Sequence, residues 1–174
     1  MKLTYALFAF ASIASSIAAT PYEAITADVA KIQGEVTSLD KGITALPTSQ
    51  ATIPQVVGIA TTARALITAV NTGTTHAIIT GNLSPEEAQK VVDRIQAIVP
   101  EVTNTLRVIV LKHNAFPDTS LALVGRTLRE LNISFVLFAD ALIKYAKPNV
   151  IKQVVTIQAD LIFKFKGAEA AFPV

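Results

Sequence analysis

Side chains able to carry catalysis are few in this chain. His76 and His113 are the only imidazoles in 174 residues, and cysteine is absent. Two histidines make a strong zinc site only with carboxylates beside them, and no His-Glu-x-x-His spacing occurs. His113 falls at the edge of an apolar helical stripe, where a half-buried helix-end role explains it better than a general base. Lack of cysteine excludes a thiolate nucleophile, thiolate metal sites and redox chemistry. There is no Gly-x-Ser-x-Gly elbow, phosphate loop, dinucleotide fingerprint or calcium loop. Glu86 and Glu87 follow Ser84-Pro85, so they read as helix-start carboxylates favoured by the dipole and by a capping box. The residues predict no catalytic group, no metal and no cofactor, hence a protein that is not an enzyme.

Apolar side chains are what the chain has in quantity, at 51% of residues. From Leu131 to Tyr145 they point nearly all round a helix, with no charge between Glu130 and Asp140. From Val150 to Phe165 they cover a wide stripe. A helix apolar on every side is either enclosed by others or turned toward something other than water. Ile98, Leu131, Phe135, Phe138, Leu142, Val154 and Leu161, on the inner faces of the third to fifth helices, are the candidate hydrophobic ligand contacts. Three arrangements satisfy the pattern: a solid core, an axial tunnel for an elongated apolar ligand, or a bundle that opens onto a hydrophobic surface.

The elements that must position these residues are helices. Tyr22, Ile25, Val29, Ile32, Val36, Leu39, Ile43 and Leu46 alternate three and four apart, an a/d seam along Thr20 to Leu46. Thr20, Pro21 and Glu23 supply its N-cap, first position and capping box. Asp28 and the other charged residues are expected off that seam. A second helix is expected from about Gln55 to Thr80, its inner stripe running from Val56 to Ala77 and Ile78. Its threonine-rich outer face is either a weakly polar solvated face, or one that is O-glycosylated or meets an apolar surface. A third runs from Ser84-Pro85 to about Asn114, with Pro100 on its outside producing a kink or a break. A fourth spans about Thr119 to Ala146. The fifth opens at Pro148 and is expected to stop at Gly167, leaving a loose tail. With no strand signal or repeat, the fold class is all-α, a single-domain bundle of about five amphipathic helices without disulfides.

Residues 1–19 have the form of a signal peptide: Lys2, an apolar run from Leu3 to Ile13, and small residues before Thr20. The expected division is therefore 1–19 signal peptide and 20–174 helical-bundle domain, secreted and extracellular. The chain holds 15 basic and 13 acidic side chains, one of the basic ones being Lys2. Near-neutral charge argues against a nucleic-acid partner. No segment after residue 19 is expected to be long enough and apolar enough to span a membrane. Asn82-Leu83-Ser84 is a candidate glycosylation sequon in a surface turn, whereas Asn132-Ile133-Ser134 lies where it should be hidden.

The start Thr20-Pro21, the helix ITADVAKIQGEVTSLDKGI (Ile25–Ile43), LSPEEAQKVVDRIQAIVPEV (Leu83–Val102) and LRVIVLKHNAF (Leu106–Phe116) together resemble the fungal hydrophobic surface-binding protein A family, which includes antigenic cell-wall galactomannoproteins. The resemblance covers essentially the whole segment after residue 19. It implies secreted proteins that adsorb to hydrophobic solids and recruit a cutinase-type esterase. It equally implies cell-wall mannoproteins whose bundle encloses long-chain fatty acids such as arachidonic acid. Residues 167–174 are too short for the wall-anchor signal of such mannoproteins, so free secretion is expected. The alternative is a structural, antigenic wall mannoprotein with a solid core and no ligand.

Overall fold

The computed structural model describes residues 20–172 except Asn82 and Ala146. The signal-peptide reading of residues 1–19 and the sequon at Asn82 lie outside the described residues. Five helices account for nearly all the rest: α1 (Pro21–Thr44), α2 (Ile53–Thr80), α3 (Pro85–Leu111), α4 (Asp118–Tyr145) and α5 (Pro148–Ala171). A short 3₁₀ turn at His113–Ala115 follows α3.

Local chemistry sets the helix starts. Thr20 and Ser84 each accept from the backbone N–H three residues on, while Glu23 and Glu87 reach back to the cap N–H at 2.7 and 2.9 Å. Each box satisfies two of the otherwise orphaned donors of a helix start. Proline occupies the first turn of α1, α2, α3 and α5, where its missing N–H costs nothing. Pro100 lies on the exposed face of α3, and the helix runs through it unbroken.

The helices close into a ring: α1 packs on α2, α2 on α4, α4 on α5, α5 on α3 and α3 on α1. The N-terminal ends of α1, α3 and α5 meet the C-terminal ends of α2 and α4 at one pole. Seven of the eight seam residues of α1, Ile25 through Leu46, are buried, so one continuous core runs down the axis. Polar pairs fix the register of the parallel neighbours. Thr37 donates to Glu101 at 2.5 Å and Asn104 to Asp40 at 3.0 Å across α1–α3, and Gln89 donates to Gln153 at 2.9 Å across α3–α5.

Four expectations need correction. Gly167 does not stop α5, which continues to Ala171; Phe172 is then fully buried against Phe116 and His113, with ring centroids 5.8 and 5.0 Å away. Helical hydrogen bonds hold a glycine wherever packing beyond it recovers its entropic cost of about 1 kcal/mol, and burial of Phe172 does so here. Asp28 is not at the surface but 8% exposed, with His76 Nδ1 2.6 Å from its Oδ2. Ile78, placed on the inner stripe of α2, is 49% exposed, while Ala69 and Gly73 face inward instead. Finally, α2 is long and apolar enough to cross a membrane by length and composition, with mean hydropathy 1.4 over its most apolar window. In this fold its inner face, from Val56 to Ala77, is part of the shared core.

Candidate functional site

Five helices in a ring cannot all touch at the axis, and the side chains pointing inward leave space. Three neighbouring apolar cavities lie there, of about 50, 40 and 20 Å³. All five helices wall the first, through Val36, Leu39, Leu66, Leu106, Leu128 and Phe165 among others. The second lies among α1, α3, α4 and α5, and the third at the pole where α2 and α4 end. Val102 and Phe135 line both the first and the second, so they form the partition between them. Val92, Leu142 and Val154 partition the second from the third in the same way. Phe135 is braced by Phe165, their ring centroids 5.7 Å apart.

The polar side chains on the walls of the two larger cavities are few and already engaged. In the first cavity Thr105 donates to Glu101 O at 2.9 Å and to Asp40 Oδ1 at 3.2 Å, and Thr127 donates to Leu123 O at 2.9 Å. In the second, Gln158 Nε2 donates to Asp140 Oδ1 at 2.7 Å and to Val136 O at 3.3 Å. Hydrocarbon walls offer a water molecule almost nothing to bond, and a cavity of this kind favours an apolar guest. At about 24 cal/mol per Å³, three such voids together forgo about 2–3 kcal/mol of packing, which an alkyl chain filling them would restore.

All seven candidate contact residues line these cavities. Leu131 is on the first, Ile98, Phe138 and Leu161 on the second, Phe135 on the first two, and Leu142 and Val154 on the last two. Missing from that set were the walls supplied by α1 and α2, such as Leu39, Ile43, Ile59 and Leu66. Their ordinary heptad width looked like seam alone; the signal that they also face a void is the ring closure, which belongs to the tertiary fold.

The second sequon is hidden only in part: Asn132 is half-buried, its Nδ2 donating to Glu169 at 2.9 Å and its Oδ1 buried, and Ser134 is buried, but Ile133 between them is exposed. His113 is half-buried beside Phe172. No group of three or more histidines and carboxylates is arranged to hold a metal among the described residues.

Outside, apolar residues remain uncovered. Ile79 is 74% exposed, Phe163 73% and Leu111 69%, with Ile53, Val57, Ile133 and Leu137 each more than half exposed. Along α2 the hydroxyls of Thr61, Thr62, Thr68, Thr72, Thr74 and Thr75 all donate to the carbonyl four residues earlier. Their donors are thereby used within the helix.

No curated protein matches the chain. Among solved structures, the fold is shared with AFMP4P in complex with palmitic acid, at 18% identity and a TM-score of 0.80 over 87% of this chain and 99% of that one. It is shared equally with ligand binding domain 1 of the Penicillium marneffei MP1 protein complexed with arachidonic acids, at 14% identity and TM-score 0.80 over 88% and 99% of the two chains. Domain 2 of the same protein, complexed with multiple arachidonic acids, matches at 14% identity and TM-score 0.77 over 86% and 94%. At sequence level the family described as hydrophobic surface binding protein A matches residues 22–144, most of the ring from α1 through nearly all of α4. The axial cavities and the uncovered apolar exterior are thus those of a chain that belongs to the hydrophobic surface binding protein A family.

Proposed function

We propose that the protein is a secreted, non-enzymatic binder that takes the alkyl chain of a long-chain fatty acid into its axial cavities. One observation carries the reading: the voids are apolar neighbours that share wall residues, Val102 and Phe135 at one partition and Val92, Leu142 and Val154 at the other. Likeness of fold to the palmitate and arachidonate complexes supports it. At about 50 Å³ the largest void is well below the roughly 300 Å³ of an ordinary ligand pocket, so uptake requires the helices to move apart and the partitions to swing. Leu131, Phe138 and Leu161 would line the widened channel. The drive is removal of apolar area from water, about 25 cal/mol per Å².

Adsorption to hydrophobic surfaces is a second activity of the same molecule, favoured by the family and by the exposed Ile79, Phe163 and Leu111. Recruitment of a secreted cutinase-type esterase belongs to this reading as a further step, as do removal of residues 1–19, glycosylation at Asn82 and residence at the cell wall. Mass spectrometry of organic extracts of purified protein, followed by palmitate titration of the delipidated form, tests the cavity reading. Co-purified or saturably bound fatty acid is expected. A protein that takes up none, and carries none, is instead a wall protein with a solid core.

A further inference from the structure

A fatty acid in the axial cavities leaves its carboxylate to be placed. Inside, Thr105, Thr127 and Gln158 are the polar wall residues of the two larger cavities, and their donors are already engaged. Desolvating an ion against such walls is costly. We infer that the acid end is held outside the ring, in the groove between the C-terminal halves of α3 and α5, flanked by Arg107 and Lys164, with the alkyl chain passing inward beside Leu106. The inference rests on the fatty-acid reading above.

Three features converge on that groove. Its open volume is about 350 Å³, with Val110 and Ala168 on its floor. Leu106 lines both the groove and the first axial cavity, so one leucine side chain stands between outside and inside. Gly167 keeps the seam open: a Cβ there would meet nothing within 4 Å. A glycine inside a helix is a poor helix former, and here it leaves room at the mouth.

Charge then distinguishes this groove from its counterpart. Between α1 and α2 a smaller groove of about 170 Å³ also reaches the first cavity, through Leu39 and Ile59. Among the described residues, no charged side chain lines it. In the α3–α5 groove both cations are available. Among the described residues the only ion pairs are His76–Asp28 and Lys90–Glu86. Arg107 donates only to Asn104 Oδ1, at 2.9 Å. The carboxylates of Glu101 and Glu169 accept from Thr37 and Asn132 on other faces, and Asp160, one turn before Lys164 on α5, forms no ion pair with it and does not line the groove. A bidentate guanidinium and an ammonium on an apolar floor suit a single-chain carboxylate.

The test compares palmitate with hexadecanol, of the same chain length but uncharged, on the wild-type chain and on R107Q/K164Q, with circular dichroism to establish that both are folded. Two partly exposed ion pairs predict palmitate binding weakened about tenfold in the variant, hexadecanol binding held within about twofold, and wild-type palmitate affinity falling with added salt. A second variant, G167L, is expected to slow uptake of both ligands by filling the mouth. Equal loss for both ligands in R107Q/K164Q, or no loss for either, overturns the placement while leaving the cavity reading intact. If wild type binds neither ligand, the cavity reading itself fails and the placement with it.

Discussion

Asp28 and Gly73 show how single residues on α1 and α2 act on the packing behind the middle cavity, through its wall residue Phe138. Asp28 is 8% exposed and has one side-chain partner, His76, whose own ring is partly solvated. Removing the histidine leaves a buried carboxylate without a donor, which costs about 1–3 kcal/mol. H76A is therefore expected to lose that much stability in urea unfolding, and D28A/H76A to recover part of it, giving a coupling visible in the double-mutant cycle. Gly73 lies opposite: a Cβ there would stand 3.2 Å from Phe138 Cε2 and 3.5 Å from Asp28 Cβ. The phenyl ring must give way, and it has somewhere to go, because Phe138 lines a cavity of about 40 Å³. Better helix propensity, about 1 kcal/mol for alanine over glycine, then offsets the shift. G73A is expected to stay within about 1 kcal/mol of wild type in stability while narrowing the middle cavity, as a crystal structure of the variant would reveal.

At the scale of helices, the starts of α1 and α3 were legible because capping is local. Thr20 to Glu23 and Ser84 to Glu87 announce themselves in four residues, and both boxes formed. S84A is expected to cost about 1 kcal/mol, read as a shift in the urea midpoint. The same boxes give an acid dependence. Hydrogen bonds from the Thr20 backbone N–H and hydroxyl hold Glu23 below the usual carboxylate range, and those from the Ser84 hydroxyl and backbone do so for Glu87. Each carboxylate is thus more acidic folded than unfolded. Its contribution is complete above the ordinary carboxylate range and is lost as pH falls through the lowered value. Stability of the wild type should decline on acidification, and E23Q/E87Q should decline less steeply over the same window. The C-terminal end of α5 was illegible for the opposite reason: Gly167 carries a local stop signal, and only the distant Phe116 and His113 explain why the helix continues to bury Phe172. Asp28 was misplaced likewise, since its partner lies 48 residues away on α2. That the candidates on α4 and α5 face the axis could be read because excess apolar width is visible on each of those two helices alone. The walls from α1 and α2 could not, because a seam that faces a void has the same spacing as one that faces a neighbour.

For the molecule as a whole, ring closure is what turns amphipathic helices into a container. Five helices packed in the cycle α1, α2, α4, α5, α3 leave an axis that their side chains fill incompletely. The voids are small, lined by hydrocarbon and partitioned by residues that can rotate, which suits a flexible apolar chain better than a rigid or polar ligand. Val102 stands at the partition between the two larger cavities and is 5% exposed. A phenylalanine there would occupy the space an alkyl chain needs, filling void rather than displacing wall. Isothermal calorimetry of palmitate with delipidated wild-type protein and with V102F tests this most directly. Saturable binding with a negative heat-capacity change, weakened at least about tenfold in a V102F that remains folded, is the expected result. Undiminished binding to V102F, or no saturable binding to wild type, would contradict it.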